Sequence, residues 1–468
     1  MNEQNKDNIE SSLIPKSSGY AVSERWNDTT VEIVNEVAVS ADGKYMAVVT
    51  NWDATPGSDI FFYNTSDHDG IPMWSYDAAI SFDSLAISAN GSYIIAGSSA
   101  SNIAYLFNSS VPYPGNDKDY IYYVDWGEPI NSVDVSADGK LIVLGGSYGG
   151  GDGGILSYNN SHPPGGWGTN KEADYLWKYE TTMPFLSVAI SADGKYVVGA
   201  QDLTWAADEI FFLNTTDYTL GSDQVPMWSY NTSATVNTVA ISATGEYVVA
   251  GTSQQDPGDE LFVFNKSTNN GIPEWSYDYG TGTLIHSVAI SADGEYIATG
   301  CEGPTPTAGI VGLFSNSKSQ NLWNSSTGGK VNTVDITEDG KYIVAGTNYQ
   351  LGNGRFNETV LLYKQSANPT GNALPEWAFN TSNDVNSVSI SALGNYIGAG
   401  GVFTLGSGRA YLFYARTIQS IISSNGDDDD DDDEEAAIPF GNHYLLFAAI
   451  AIASLVIITK RKAVFSKK

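Results

Sequence analysis

A thirteen-residue segment with a glycine at its centre recurs eight times along the chain and constrains the fold more than any other feature. One copy, Val239 to Gly251, reads Val-Ala-Ile-Ser-Ala-Thr-Gly-Glu-Tyr-Val-Val-Ala-Gly. The other copies begin at Val37, Leu85, Val133, Val188, Val288, Val334 and Val388. A glycine turn between two runs of Val, Ile, Ala and Tyr is a strong hairpin signal, because glycine takes a positive φ without steric cost. The sequence therefore predicts eight tight β-hairpins.

Two further runs follow most hairpins. The third run is apolar, as in Ile60-Phe-Phe-Tyr63, and the fourth is shorter and begins with Trp, as in Trp228-Ser-Tyr230. The nearly continuous apolar character of the hairpin runs is typical of strands that are covered on both faces. Four-stranded units of about 50 residues are typical of propeller blades. We therefore expect an all-β fold, an eight-bladed β-propeller of four-stranded antiparallel blades, with one additional C-terminal transmembrane helix.

The two ends of the repeat array complement each other. The eighth copy lacks a Trp strand after its third strand at Ala410 to Tyr414, whereas Trp26 precedes the first copy and has no earlier strands of its own. Trp26 stands eight residues before Val34, and the same interval separates Trp228 from Val236. Residues 26–31 are therefore predicted to complete the last blade and to close the ring non-covalently.

Composition excludes several classes of function. The formal charge is −32, and residues 1–426 alone carry 45 acidic and 17 basic side chains, so no nucleic acid partner is expected, because polyanion binding depends on Lys and Arg. The single Cys301 and four scattered histidines make a catalytic zinc site improbable. The chain lacks a phosphate-binding loop, a Gly-x-Ser-x-Gly elbow and a His-Glu-x-x-His motif. We assign no catalytic residues, no metal ligands and no cofactor.

A polar residue recurs at the second position of the predicted inner strands. The set comprises Asn35, Asp83, Asn131, Asn237, His286, Asn332 and Asn386, with Leu186 as the exception. In radial blades this position would ring one mouth of the central channel, where amides and a carboxylate could bind a sugar, a peptide end or a cation. The alternative is that these side chains cap neighbouring turns or face channel water, and we weight this alternative more heavily.

Variable loops between the second and third strands are predicted to emerge at the same mouth. They span residues 51–59, 147–154, 201–208, 253–259, 301–308 and 348–358. Variable loops on a rigid scaffold usually carry recognition. Their acidic members are Asp152, Asp202, Asp208, Asp256 and Asp259. Structural calcium at these carboxylates is a secondary hypothesis, because no known calcium-loop spacing is present.

The repeat resembles those of two known families. The phrase Ser-Ala-Asp-Gly-Lys-Tyr in the hairpins resembles the Ser-Pro-Asp-Gly-Lys hairpin of WD40-type propellers, over about residues 20–416. The segment Phe264 to Tyr277, with Gly271 four residues before Trp275, looks like the repeat of quinoprotein-like (PQQ-type) propellers, which have eight blades with one Trp each. In those enzymes the cofactor rests on a vicinal disulfide, which a chain with one Cys cannot form. The resemblance therefore implies a non-catalytic scaffold.

The C-terminal region predicts a membrane anchor. Residues 444–459 carry no charge and are followed by Lys460-Arg-Lys462, a pattern that favours a transmembrane helix with a cytoplasmic basic tail and an external propeller. The order of acidic run, helix and basic tail is similar to the anchors of archaeal surface proteins. The expected organisation is a disordered N-terminus (1–22), the propeller (23–416), an acidic linker (417–437), the transmembrane helix (438–460) and a basic tail (461–468).

Export and glycosylation are linked expectations. Residues 1–22 are polar and contain no signal peptide pattern, so an external propeller requires either a mis-assigned start or an unrecognised export route. A cytoplasmic tail-anchored scaffold is the alternative. Glycosylation sequons in predicted turns favour the external side. The main candidates are Asn64, Asn108, Asn214, Asn231, Asn265, Asn324, Asn357 and Asn380. The competing interpretation is that Asn, Ser and Thr are simply turn formers.

These expectations combine into one functional prediction. The chain should be a non-enzymatic, membrane-anchored surface propeller that recognises a protein or glycan ligand through its variable loops. An extracellular hydrolase or lyase that uses carboxylates at the same mouth is the main alternative.

Overall fold

The computed structural model describes residues 20–51, 59–109, 120–148, 152–160, 169–170, 175–202, 208–218, 220–253, 258–267, 271–305, 308–348, 358–366, 372–404 and 406–417. Within these ranges the strands form eight separate sheets, each built on four antiparallel strands. The expected all-β, eight-bladed propeller is confirmed. The predicted N-terminal disorder, acidic linker, transmembrane helix and basic tail lie outside the described residues.

The strands of each blade follow chain order from the channel outwards. The inner strands are β2 (Val34–Val39), β6 (Ser84–Ile87), β10 (Ile130–Val135), β15 (Phe185–Ile190), β20 (Val236–Ile241), β24 (Leu284–Ile290), β28 (Val331–Ile336) and β32 (Val385–Ile390). The second strands are β3 (Tyr45–Thr50), β7 (Tyr93–Gly97), β11 (Leu141–Tyr148), β16 (Tyr196–Gln201), β21 (Tyr247–Thr252), β25 (Tyr296–Glu302), β29 (Tyr342–Thr347) and β33 (Tyr396–Thr404).

The third strands are β4 (Ile60–Asn64), β8 (Ile103–Asn108), β12 (Asp152–Asn159), β17 (Ile210–Asn214), β22 (Leu261–Asn265), β26 (Gly309–Ser315), β30 (Val360–Lys364) and β34 (Ser407–Thr417). The outer strands are β5 (Trp74–Tyr76), β9 (Tyr122–Asp125), β14 (Trp177–Thr181), β19 (Trp228–Tyr230), β23 (Trp275–Tyr277), β27 (Gln320–Thr327), β31 (Trp377–Phe379) and, in the eighth blade, β1 (Tyr20–Thr30).

The N-terminal strand closes the ring as predicted. β1 pairs antiparallel with β34 from Tyr20 opposite Thr417 to Thr30 opposite Gly408, which makes it the outer strand of the eighth blade. The strand is longer than the predicted 26–31 segment, because the pairing extends along the whole of β34, so the propeller strands reach slightly beyond the predicted 23–416 range. Inner strand β32 contacts β2, and each other inner strand contacts the next one round the ring.

The antiparallel blades give the ring two distinct ends. We call the end that carries the hairpin turns, such as Asp42-Gly43, the turn face. The opposite end, where the inner strands begin and the second strands end, is the loop face. Because β1 starts beside the end of β34, Tyr20 and Thr417 both lie at the turn face. The variable loops therefore emerge on the face away from both ends of the described chain.

A closed circuit of backbone hydrogen bonds joins the hairpin turns. At each turn a backbone N–H donates to a carbonyl oxygen in the turn of the next blade, as from Asp42 to Ala89 at 3.1 Å and from Ala392 back to Ala41 at 3.0 Å. The intervening bonds run from Ala89 to Ala137, Ala137 to Ala192, Asp193 to Ala243, Ala243 to Ala292, Ala292 to Glu338 and Glu338 to Ala392. The turn face is thus fixed by eight successive links.

The turn glycines are required by packing as well as by backbone conformation. Gly139 has a φ of +72°, and a Cβ atom placed there would lie 2.2 Å from the ring of Tyr93 in the preceding blade. Gly294 and Tyr247 repeat this relationship at 2.3 Å. An aromatic ring of one blade therefore covers the turn of the next, and a side chain at the glycine would displace it.

The hydrophobic core lies between neighbouring sheets. Phe62 and Trp74 of the first blade stack 5.0 Å apart, and Trp74 lies 5.5 Å from Phe107 of the second blade. Trp228 repeats this arrangement between Phe212 and Phe264, at 4.9 Å and 5.0 Å. The Trp residues therefore serve mainly as interblade packing, as expected from their recurrence.

Three blades carry an additional contact at the outer edge that the sequence pattern does not predict. β13 (Thr169–Asn170) adds in parallel to β9, and β18 (Ser222–Asp223) adds in parallel to β14. Asn372 forms a single parallel bridge with Asn324. In each case the loop before an outer strand reaches back to the preceding blade and covers part of its exposed edge.

Candidate binding face and channel

Side chains at the start of the inner strands form successive rings along the channel wall. In seven blades the pairing of the inner strand shifts by one residue near the start of the strand, which is a β-bulge. In six of these blades the bulged residue is one of the recurrent polar residues, as at Asn35 and Asn131, and in the fourth blade it is Leu186. Its side chain can therefore leave the ladder and reach the next blade.

Five of the predicted mouth residues are interblade clamps. The Asn35 amide Nδ2 donates to the carbonyl oxygen of Phe82 at 2.8 Å, and Asn386 closes the ring by donating to Val34 at 2.8 Å. The same bond joins Asn131 to Phe185, Asn237 to Ile285 and Asn332 to Val385. All five amides are half-buried. This geometry matches the capping alternative, so their donors hold the scaffold together.

The two remaining mouth residues differ from the amides. Asp83 is exposed, and its carboxylate accepts hydrogen bonds from the backbone and the hydroxyl of Ser99 at 2.8 Å and 2.5 Å. His286 contacts Glu302 at 3.0 Å, and Lys330 lies 3.7 Å from the same carboxylate oxygen. Burial, together with the neighbouring Lys330, lowers the pKa of His286. These two positions bring titratable side chains to the mouth on opposite sides of the ring, in the second and sixth blades.

A second ring of interblade bonds lies one residue deeper. Ser132 Oγ accepts the backbone N–H of Val188 at 3.0 Å, and Ser387 Oγ accepts that of Val37 at 3.1 Å. Equivalent bonds join Ser84 to Val133, Ser187 to Val239 and Ser287 to Val334. Glu36 stands at this position in the first blade and accepts the N–H of Leu85 at 2.7 Å. Glu36 thus places a carboxylate where the other seven inner strands have Ser or Thr.

Two aspartates occupy the next position along the wall, where most blades have alanine. Asp134 accepts the N–H of Ile190 at 2.8 Å, and Asp335 accepts that of Ile390 at 2.8 Å. Burial raises the pKa of each to about 6. Burial also raises the pKa of Glu36 to about 8, and the nearby Asp134 and Asp83 add to this effect. The channel wall is therefore acidic, with carboxylates that are held by backbone donors.

Sequence reasoning missed Glu36, Asp134 and Asp335, although a signal was present. Each replaces the small or hydroxyl residue that other repeats have at the same position. These departures from the repeat are visible in the sequence. The orientation of the three side chains towards the next blade, however, depends on the bulge, which the sequence pattern does not reveal.

Three of the four acidic loop positions that the structure describes accept hydrogen bonds at the edges of their loops. Asp208 accepts the hydroxyl of Ser229, and Asp259 accepts that of Ser276. Asp202 accepts the hydroxyl of Thr235 at 2.5 Å. Asp152 is exposed at the start of β12, and Asp256 lies outside the described residues. In the described ranges no group of three or more His, Cys, Asp or Glu side chains is arranged to hold a metal ion.

The described sequons form local turns. Asn64 Oδ1 accepts the backbone N–H of Ser66 at 2.9 Å, and Asn231 Oδ1 accepts that of Ser233 at 2.9 Å. The same bond occurs at Asn214, Asn265 and Asn380. Asn265 is buried, Asn108 and Asn324 are half-buried at or within their strands, and Asn357 lies outside the described residues. Asn231 and Asn380 are exposed, which makes them the most accessible candidates.

Comparison with known proteins adds a fold neighbour only. No protein-family model matches the chain, and no curated protein matches it either. Among solved structures, the β-propeller domain of Cps50 (Swd1) from Myceliophteria thermophila is similar, with a TM-score of 0.48 and 9% identity, over 71% of this chain and 97% of that one. Along the part of the chain that the structure describes, we find no helix with the length and apolar character needed to cross a membrane.

Proposed function

We propose that this protein is a non-enzymatic recognition scaffold that binds a protein or glycan ligand at its loop face. The observation that carries the proposal is the separation of the two ends of the ring. Both Tyr20 and Thr417 lie at the turn face, which leaves the loop face free of the described chain ends. Variable loops on a rigid frame are the usual carriers of recognition.

The mouth amides are already hydrogen-bonded between blades, so the recognition surface is expected to consist of the loops and the rim of the channel. The mouth amides use a donor in the interblade clamps, whereas Asp83 and His286 are placed at the rim. Basic side chains, in contrast, recur at the hairpin turns, as at Lys44, Lys140 and Lys195. An acidic loop face favours a ligand with cationic or hydrogen-bond donor groups.

We further propose that the protein is anchored in the cell membrane through residues 438–460, with the propeller outside and the basic tail inside. The uncharged 444–459 segment, the following basic cluster and the exposed sequons Asn231 and Asn380 support this siting. Protease treatment of intact cells tests it: external protease should remove the propeller and leave a short membrane-bound fragment. Full protection of the propeller, together with unmodified Asn231 and Asn380, would indicate a cytoplasmic scaffold instead.

Loop-face variants test recognition directly. Once a ligand has been identified by cross-linking on intact cells, Asp83→Asn and Asp259→Asn should each weaken its binding moderately, because contacts in a recognition surface are distributed. Lys195→Gln at the turn face is the matched control and should leave binding unchanged. Equal loss for the turn-face variant would show that the loop face is not the binding surface.

A hydrolase is a second candidate, and one observation favours it. Glu36 has a pKa of about 8 and interacts electrostatically with Asp134, so a protonated acid lies near a second carboxyl in the channel. Both groups are nevertheless engaged with backbone N–H donors of neighbouring blades. If the protein cleaves a glycan, Glu36→Gln should abolish turnover, whereas a scaffold should show no turnover in either form.

A further inference from the structure

Two buried carboxylates lie close together in the first blade, away from the channel wall. Glu32 belongs to the connection between β1 and β2, and Asp59 directly precedes β4. Their side chains are almost completely shielded from solvent, with Glu32 2% exposed and Asp59 0% exposed. Two acidic groups in such a place need compensation, because burying a charge is costly unless it is paired.

Only one oxygen of Asp59 is accounted for. Asp59 Oδ2 accepts the backbone N–H of Ala78 at 2.7 Å and that of Ile80 at 3.4 Å, and so caps the connection to the second blade. Its other oxygen, Oδ1, is buried and has no hydrogen-bond partner among the described residues. An unsatisfied buried acceptor costs about 1–3 kcal/mol, and more when it is charged.

Thr50 joins the two acids. Its backbone N–H donates to the Asp59 carbonyl oxygen at 3.0 Å, and its hydroxyl donates to Glu32 Oε2 at 3.2 Å. Thr50 itself is fully buried. The hydroxyl oxygen, the Glu32 carboxylate and the Asp59 backbone carbonyl are therefore held at one place by this threonine.

The Asp59 carboxylate keeps its charge at neutral pH. Burial raises the pKa of Asp59 to about 6, and the neighbouring Glu32 also contributes, so Asp59 remains mostly ionised at pH 7.5. Among the described residues no Lys, Arg or His forms an ion pair with Asp59. Above pH 7 Asp59 therefore carries a buried charge that none of these basic side chains compensates.

Other blades make the same cap with a single acid. Glu209 Oε2 accepts the N–H of Thr232 at 2.7 Å, and Glu260 Oε2 accepts that of Tyr279 at 2.7 Å. The connections that lead into the inner strands of those two blades, residues 182–184 and 231–235, contain no acid. The second buried carboxylate at Glu32 is thus an addition to the repeat that the structural cap does not require.

We propose that Glu32, Asp59 and Thr50 form a binding site for a hard divalent cation, with calcium as the best match. All the candidate donor atoms are oxygens, which calcium prefers, and calcium tolerates irregular geometry with backbone carbonyls and water completing its shell. The ion would satisfy Asp59 Oδ1, compensate the Asp59 charge and connect the closing strand to the first blade. This site lies at the end of the 51–59 loop, is distinct from the five acidic loop positions considered above, and does not depend on the recognition function.

Thermal unfolding of the purified full-length protein at pH 7.5 tests the proposal. After treatment with EGTA, added CaCl₂ should raise the unfolding temperature of the wild type by several degrees in a saturable manner, as expected for an ion that binds only the folded state. Asp59→Asn should lose this response, because the amide retains an oxygen for the cap and replaces the unpaired oxygen. Glu260→Gln, which changes the equivalent single acid in the fifth blade, should retain it.

Two results would overturn the proposal. One is a wild-type protein whose unfolding temperature does not respond to calcium after EGTA treatment, since Asp59 would then be accommodated without an ion. The other is an undiminished calcium response in Asp59→Asn, which would place the ion elsewhere, for example on the acidic run 427–435. If Asp59→Asn does not fold, Glu32→Gln and equilibrium dialysis against radioactive calcium provide the same comparison.

Discussion

Tyr20 and Thr417 lie opposite each other in one sheet, so the first and last described residues of the propeller are partners in a β-ladder. The strands that carry them join the start of the chain to its eighth repeat and complete the ring. The integrity of the whole circle thus depends on about ten non-covalent residue pairs between β1 and β34.

The closing strand should therefore be a sensitive position. Trp26 is 5% exposed and packs 4.7 Å from Tyr63 of the first blade. We expect Trp26→Ala to destabilise the protein by about 3–5 kcal/mol, because it leaves a large cavity where the ring closes. Thermal unfolding measures this effect. Val31→Ser, at a position that is 54% exposed, should change stability by less than about 0.5 kcal/mol, and equal effects would contradict the closure role.

Two glycines with positive φ allow the cost of backbone strain to be distinguished from the cost of a packing clash. Gly139 has a φ of +72° and faces Tyr93, whereas Gly127 has a φ of +76° and no neighbouring atom within 4 Å of an added Cβ. Gly127→Ala should cost about 1 kcal/mol from the backbone alone. Gly139→Ala should cost about 2 kcal/mol more, because the Tyr93 ring must move. Urea denaturation of the two variants measures the difference in the free energy of unfolding. Similar losses would show that the Tyr93 side chain moves aside at little cost.

The mouth amides should behave as structural clamps. In the wild type the Asn237 amide Nδ2 donates to the carbonyl oxygen of Ile285. Asn237→Asp removes this donor and places a carboxylate against the carbonyl oxygen. We expect a loss of about 1–3 kcal/mol. Asn90→Asp is the control, because five other hairpin turns already have Asp at that position, and it should be nearly neutral. Chemical denaturation compares the two, and a neutral Asn237→Asp would reopen a ligand-binding role for the ring.

The Glu36 carboxyl predicts a pH dependence with a definite sign. Its pKa rises from 4.5 to about 8 on folding, so the folded state holds the proton more tightly than the unfolded state. The stability linked to this proton is complete below about pH 4.5 and is lost as the pH rises through 8.

Glu36→Gln should therefore be more stable than the wild type at pH 9 and similar to it near pH 4.5. Because the side chain is only half-buried at the channel, we expect a gain on the order of 1–2 kcal/mol. Denaturation curves at the two pH values measure it. Asp67→Asn, at an exposed position, should show no such divergence, and a parallel response of both variants would refute the assignment to Glu36.

The overall charge predicts a response to salt. With a net charge of −32 and acids outnumbering bases, repulsion opposes the compact state, and added salt screens it. Sodium chloride should therefore raise the unfolding temperature at pH 7.5. The same salt should have a much smaller effect near pH 4.2, the isoelectric point of the sequence. Salt-independent unfolding at pH 7.5 would show that the charges are already compensated.

Much of the architecture was predictable because the repeat carries it. The Asp-Gly turns specify hairpins locally, and the interval between Trp26 and Val34 matches that of other blades, so closure by the N-terminal strand followed from spacing. The two-residue strands β13 and β18 were not predictable, since their formation depends on the free edge of a neighbouring blade rather than on their own residues.

The candidate site was predictable only in part. The recurrence of Asn35 and its equivalents identified a ring, but their use as clamps arises from a bulge that turns each amide towards the next blade. The sequence favoured a capping role over ligand binding, but it did not show that the cap joins neighbouring blades. Glu32 and Asp59 are 27 positions apart and belong to different elements, so only the tertiary fold brings them together.

The circuit of turn bonds also limits how this architecture can change. Each link from Asp42 to Ala89 and onwards uses a donor and an acceptor that belong to different repeats, and the last link returns to Ala41. If one repeat were lost or duplicated, the backbone N–H of one turn and the carbonyl oxygen of the next would no longer be at hydrogen-bond distance. Restoring the circuit would require a change in the angle between every pair of neighbouring blades. The complete circuit of turn bonds therefore constrains the number of blades. We also expect the ring to unfold cooperatively, without a stable intermediate in which only some blades have opened.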